Sequence, residues 1–158
     1  MGVFVFEDEI TTTISPTRVF DSFVNADVVF LKVAAEHIKS VETLEGDGGV
    51  GTIRKIVFHE GHGGYIKQKI EVVDKENLQY NDSVIEGDAI VGSIEKILNE
   101  NKIIPNADGG CTVKSKSTFY TSDESEIPAQ ILAEGKEKRL GMFKATEAYL
   151  LANPEAFN

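Results

Sequence analysis

Tyr80, Asp82 and Lys138 are residue types that can pass protons, and each interrupts a largely apolar pattern. Leu78, Tyr80, Asp82 and Val84 alternate onto one face of an extended segment, with Gln79, Asn81, Ser83 and Ile85 on the other. If the first face points inward, Asp82 is an acid indoors that needs water, a partner or a raised pKa. If the register is reversed, it is an ordinary exposed carboxylate. Lys138 falls on the helical face that collects Ile131, Gly135, Met142, Ala145, Thr146 and Tyr149. A helix packed tightly on a sheet wants bulk at Gly135 and no charge at Lys138, whereas a helix roofing a hollow tolerates both. A lysine snorkelling to solvent is the plainer alternative.

Other motifs carry less chemistry. Gly46, Gly48, Gly49 and Gly51 suggest a phosphate cradle, but a true one continues with Lys and Ser or Thr before a helix. Here Thr52 opens a strand, so the glycines read as a tight turn needing positive φ. His59-Glu60-Gly61-His62 lies in a turn, so no helical zinc geometry follows, and neither a metal nor a cofactor is expected. Neither these two histidines nor His37 has a clear catalytic setting. Cys111 is the only cysteine, which excludes an internal disulfide and suits a reducing, cytoplasmic compartment.

The elements that must position these residues follow from periodicity and turn chemistry. Val3 and Val5, with Phe4 and Phe6, give a first strand over residues 1–12 with one buried face. Ser15-Pro16 starts a short helix, and Val28 to Ala35 reads as a second. Strands follow over Val41–Leu44, Thr52–Phe58, Tyr65–Val73, Leu78–Ile85, Ile90–Ile104 and Cys111–Tyr120, separated by Gly, Asn and Asp turns. Short turns imply antiparallel pairing. Residues 123–127 are acidic and polar, as a helix entry prefers, and Pro128 fits only a first turn. A helix then runs to Ala152, about 25 residues or ~37 Å.

The 158 residues suit one domain, 1–158, with 26 acidic against 16 basic residues and a net charge of −10. That surface repels phosphate backbones, so DNA is excluded as a partner and RNA disfavoured. No apolar run spans a membrane and no basic residue precedes the first apolar stretch, so neither a membrane nor an export signal is expected.

Glu45-Gly46-Asp47-Gly48-Gly49-Val50-Gly51-Thr52-Ile53 resembles the glycine-rich loop of the plant class-ten pathogenesis-related proteins, the family of the major birch-pollen allergen. Met1-Gly2-Val3-Phe4, Tyr80 through Gly87, Ile94-Glu95-Lys96 and Ala148 through Pro154 are similar to family motifs, in order and at family spacing. The resemblance implies an α+β helix-grip fold: a seven-stranded antiparallel sheet curled around a long C-terminal helix, with two short helices beneath. It also implies an apolar-walled cavity for flavonoids, cytokinins, brassinosteroids or fatty acids. Family cavity positions fall on Phe23, Phe30, Ile38, Ile56, Phe58, Tyr65, Gln68, Tyr80, Asp82, Val84, Lys138 and Met142. Gln68, Asp82 and Lys138 would be the polar anchors.

Many relatives carry tyrosine in place of Asp82 and an apolar residue in place of Lys138. Val28 to Ala35 lacks the family's usual prolines. Ribonuclease activity attributed to the family maps onto Lys55, Glu95, Glu147 and Tyr149, which supply a general base and a cation. A norcoclaurine-synthase-like condensation would use Lys138, Asp82 and Tyr80, although their placement departs from that enzyme's pattern. The reading that follows is a monomeric carrier or store of a small apolar or phytohormone-like ligand in plant defence or hormone response. Allergenicity is a further family property.

Overall fold

The computed structural model describes residues 2–61, 63–123 and 127–157. His62 and residues 124–126 of the acidic helix entry therefore lie outside the described residues. Seven strands are described: β1 (Gly2–Thr12), β2 (Ile38–Glu45), β3 (Ile53–Phe58), β4 (Tyr65–Asp74), β5 (Gln79–Gly87), β6 (Ile94–Pro105) and β7 (Cys111–Thr121). They form one antiparallel sheet in the order β1-β7-β6-β5-β4-β3-β2. The helices are α1 (Pro16–Val24), α2 (Ala26–Val33) and α3 (Ala129–Ala152). This is the helix-grip arrangement.

Local chemistry explains the boundaries. Pro16 occupies the first turn of α1, where its missing N–H costs nothing. Asn25 ends α1 and starts α2, its side-chain amide donating to the Asp21 carbonyl at 2.8 Å. The two helices thus meet at one residue and carry the chain between the two sheet edges, β1 and β2. β6 begins at Ile94 rather than Ile90, because the amides of Ile90 and Ile94 bond the carbonyls of Gly87 and Val91 in successive turns. On β1, Val3 and Val5 point outward, 56% and 48% exposed, while Phe4 and Ile10 pack inward.

The glycine loop is a braced turn. Gly46 has φ +94°, and a Cβ there would meet the Thr52 hydroxyl oxygen at 2.5 Å. The amides of Gly48, Gly49 and Gly51 donate to the Thr52 hydroxyl, the Asp47 carboxylate and the Ile70 carbonyl. With these N–H groups spent on protein acceptors, the loop offers no phosphate cradle.

Among the described residues, most buried apolar side chains do not form one mass but fall into three clusters. The largest joins α1 and the end of α3 to the sheet through Val19, Phe20, Ile70, Ile103, Val113 and Leu150, and includes Cys111. Burial pushes the Cys111 thiol up to about 11, so it is a packing group. A second cluster lies under α2, around Ala34, Ile38 and Ile56. The third, around Ile94, Phe119 and Ile127, holds the start of α3.

The C-terminus of α3 is sealed by Arg18 of α1. Its guanidinium donates to the carbonyls of Ala156 (3.0 Å), Leu150 (2.9 Å) and Asn153 (2.9 Å). These include helix-end carbonyls with no intrahelical partner, and the cation also suits the negative end of the helix dipole. Arg18→Ala is expected to destabilise the fold by roughly 2 kcal/mol in urea denaturation. Amide exchange should quicken most over residues 150–157; a uniform change would show that the clamp does not act locally.

Candidate functional site

Strand register decides which side chains face α3. Arg54 pairs with Gln68, Gln68 with Val84, Asp82 with Asn99, and Asn99 with Ser117. These residues, with Ile56, Phe58, Tyr80, Asn101 and Ser115, share the inner face. Several remain partly exposed although they point toward the helix: Phe58, Ile66, Ile97, Asn99, Asn101 and Ser115 from the sheet, and Ile131 and Met142 from α3. A close-packed helix–sheet interface would bury them. A Cβ at Gly135 would meet nothing within 4 Å. The interior between the three apolar clusters is therefore open, with apolar walls interrupted by a few polar groups.

A directed line of hydrogen bonds crosses it. Arg139 of α3 donates to the Ser117 hydroxyl at 3.0 Å, and Ser117 donates to the Asn99 carbonyl oxygen at 2.9 Å. The Asn99 amide donates to Asp82 at 3.0 Å, and Gln68 donates to the other Asp82 oxygen at 2.9 Å. Arg139 also pairs with Asp8 on β1 at 2.7 Å. Beside this line, Ser115 donates to Asn101, whose amide donates to the Tyr80 carbonyl.

Asp82 is thus an acid indoors. Burial lifts its pKa to about 6, against the pull of Asn99, Gln68 and the Arg54 charge. Burial, with the nearby Asp82 charge, also holds the Tyr80 hydroxyl well above its usual value, so it stays protonated and can donate.

The sequence-derived candidates separate. Ile38, Ile56, Gln68, Tyr80 and Val84 are buried on the inner face. Phe23 sits against Tyr80 with ring centroids 6.1 Å apart, and Phe30, Phe58 and Met142 pack on the α2 cluster. Two candidates require correction. Tyr65 pairs with Val57, not with the inward Phe58, and so stands on the outer face. There its hydroxyl donates to Glu86 and its ring lies 4.8 Å beneath the Lys55 ammonium, while Ile66 takes the inward place. Lys138 is exposed, and the inward cation is its neighbour Arg139, turned to face Asp8.

The condensation trio is not assembled, because Lys138 lies outside while Tyr80 and Asp82 lie inside. The ribonuclease set is dispersed too. Lys55 covers Tyr65 on outer β3, and Glu95 is exposed on β6, with two strands between them in the sheet order. Glu147 and Tyr149 lie on α3, with Tyr149 packed on the core. Among the described residues no cluster of His, Cys, Asp or Glu could hold a metal ion, and no helix is long and apolar enough to cross a membrane. An open cleft of about 600 Å³ on the outer face is walled mainly by Glu7, Glu9, Glu100, Lys102, Lys114 and Lys116, without the apolar lining a small-molecule pocket needs.

Arg54, Asn99, Asn101, Ser115, Ser117 and Arg139 were not among the sequence candidates. The first five were signalled by period two: Arg54 shares parity with Ile56 and Phe58, and polar residues alternate along β6 and β7.

Residues 1–153 match the pathogenesis-related protein Bet v 1 family. The chain is 46% identical over 160 residues to the major allergen Pru ar 1 of Prunus armeniaca, covering 100% of both. In three dimensions it is similar to Ara h 8.0201, with TM-score 0.87, 33% identity, and 96% of this chain and 100% of that one covered. It shares its fold with norcoclaurine synthase from Thalictrum flavum, at TM-score 0.76 and 19% identity, covering 96% of this chain and 88% of that one.

The raised Asp82 pKa has a consequence for stability. The folded state takes up this proton more readily than the unfolded state, where the ordinary value near 3.8 applies. The group's contribution is fully present below about pH 4 and is lost as pH rises through about 6, on the order of 2–3 kcal/mol in all. Asp82→Asn should flatten the stability–pH curve between pH 4 and 7, read by chemical denaturation at fixed ionic strength. The Gln68 carbonyl oxygen has no partner, so its amide can turn to accept from the new Asn. An unchanged slope would assign the pH dependence to another group.

Proposed function

The chain belongs to the pathogenesis-related Bet v 1 family, and on that basis we propose that it binds small apolar or amphipathic molecules between the sheet and α3. The observation that carries this reading is the divided core. Three apolar clusters surround a region where inward side chains stay partly exposed and a polar line crosses the sheet. Such an interior is less stable than a filled one, and a guest compensates by binding only the folded state. Apolar walls with a few placed polar groups suit ligands with a hydrophobic body and a hydrogen-bonding edge, such as cytokinins, flavonoids or brassinosteroids. The role is that of a carrier or store in plant defence or hormone response. The protein acts as a monomer in a reducing compartment such as the cytoplasm, consistent with one buried thiol.

The chain has no tryptophan, so binding is best followed with an extrinsic dye. Displacement of 8-anilinonaphthalene-1-sulfonate by a panel of these ligands should be saturable in the micromolar range. A ligand at about 100 times its Kd should stabilise the fold by roughly 2.7 kcal/mol. Failure of the whole panel both to displace the dye and to shift unfolding would sink the carrier reading.

A further inference from the structure

We propose that the inner face of β3 to β5 beneath the α1–α2 hairpin is an anion subsite, with Arg54 as counter-ion for an aromatic organic acid. This rests on the carrier reading and deepens it by naming the ligand class. Arg54 is 3% exposed, yet its Nε and Nη1 have no hydrogen-bond partner. Nη2 makes two long contacts, 3.4 Å to the Val24 carbonyl and 3.9 Å to the Asp27 carboxylate, and the guanidinium also acts on the Tyr80 hydroxyl beside it. A guanidinium does not shed its charge, so burial leaves a cation with unused donors.

Its neighbours define what is missing. The Tyr80 hydroxyl, on a residue 3% exposed, lies beside the Arg54 guanidinium, has no acceptor for its own hydrogen and remains a donor. Asp82 is an inward carboxylate, but its oxygens take Gln68 and Asn99, and it acts on Arg54 only through space. Asp27 stands at the rim, its side chain 41% exposed and 3.9 Å away, too far for a hydrogen bond. Unused donors from Arg54 and Tyr80, around a net positive group, call for an acceptor that carries negative charge. The adjacent wall is aromatic: Phe23 and Tyr80 stand at a 42° tilt. A flat ring bearing a carboxylate supplies both halves. The spare Gln68 carbonyl oxygen lies one strand over and accepts any N–H or O–H the ligand carries.

Calorimetric titration with 2-naphthoate and the neutral, near-isosteric 2-naphthamide tests this. The acid should bind roughly tenfold or more tightly than the amide, as expected for a buried charge-assisted bond. Arg54→Met should bring the two within about twofold while retaining amide binding. The ligand-free variant should melt higher than wild type, because an unpaired buried charge is gone. Should Arg54→Met fail to fold, Tyr80→Phe serves instead, with a several-fold loss for naphthoate and little for the amide. Equal binding of acid and amide by the wild type would overturn the anion subsite and leave the carrier reading standing. So would an acid preference that survives the substitution. Binding of neither compound by wild-type protein would overturn both.

Discussion

The middle of the long helix is held over its sheet by reach rather than by contact. Arg139 extends from α3 to Asp8 on β1 and to Ser117 on β7, and from Ser117 the hydrogen bonds continue through Asn99 to Asp82 and Gln68. A helix can sit this way only if something long and well partnered spans the gap. Leucines at the same positions would draw the two layers together until they touched. Burying polar groups is costly unless each is satisfied, and along this line Asn99 uses both ends of its amide and Asp82 both oxygens, leaving only the Gln68 carbonyl oxygen at its end without a partner. The gap is thus a largely balanced arrangement rather than a packing fault.

The apolar clusters work around that line. One locks α1 and the end of α3 to the sheet, with Arg18 sealing the last carbonyls; a second closes the side beneath α2; the third pins the start of α3. Because the helix is anchored at both ends, its middle need not pack. That is why Gly135 sits there without a neighbour for a Cβ. In most helices such a glycine costs about 1 kcal/mol relative to alanine, and no compensating close approach is visible at this position.

Architecture was legible in the sequence because turns and period-two patterns are local. The glycine loop, the proline at the start of α1 and the proline before α3 mark boundaries that depend on a few neighbouring residues. The site was legible only so far as one strand's parity reaches: it put Tyr80 and Asp82 on one face, but which face turned inward was decided by the sheet register. Tyr65 lies across a loop from Phe58, and parity does not carry through a loop; the β3–β4 register made Ile66 the inward residue. Lys138 and Arg139 differ by 100° on a helical wheel, and what chose between them was Asp8, 131 residues away. Arg54 had the right parity but also the look of an ordinary strand-surface residue. Only the burial that α1 and α2 impose gives it significance.

The interior thus holds two opposite charges that do not bond to each other. Asp82 is supplied with donors and Arg54 is short of acceptors. This asymmetry bears on selectivity more than on affinity. A neutral apolar guest fills the space but seals an unpaired cation further from water, and that desolvation opposes its binding. A guest with an anionic oxygen at the right place relieves the same defect. Discrimination therefore arises from what the empty protein leaves unsatisfied, which costs more to ignore than any single new contact gains. The half-satisfied corner of an otherwise balanced polar network is where this fold stores a preference.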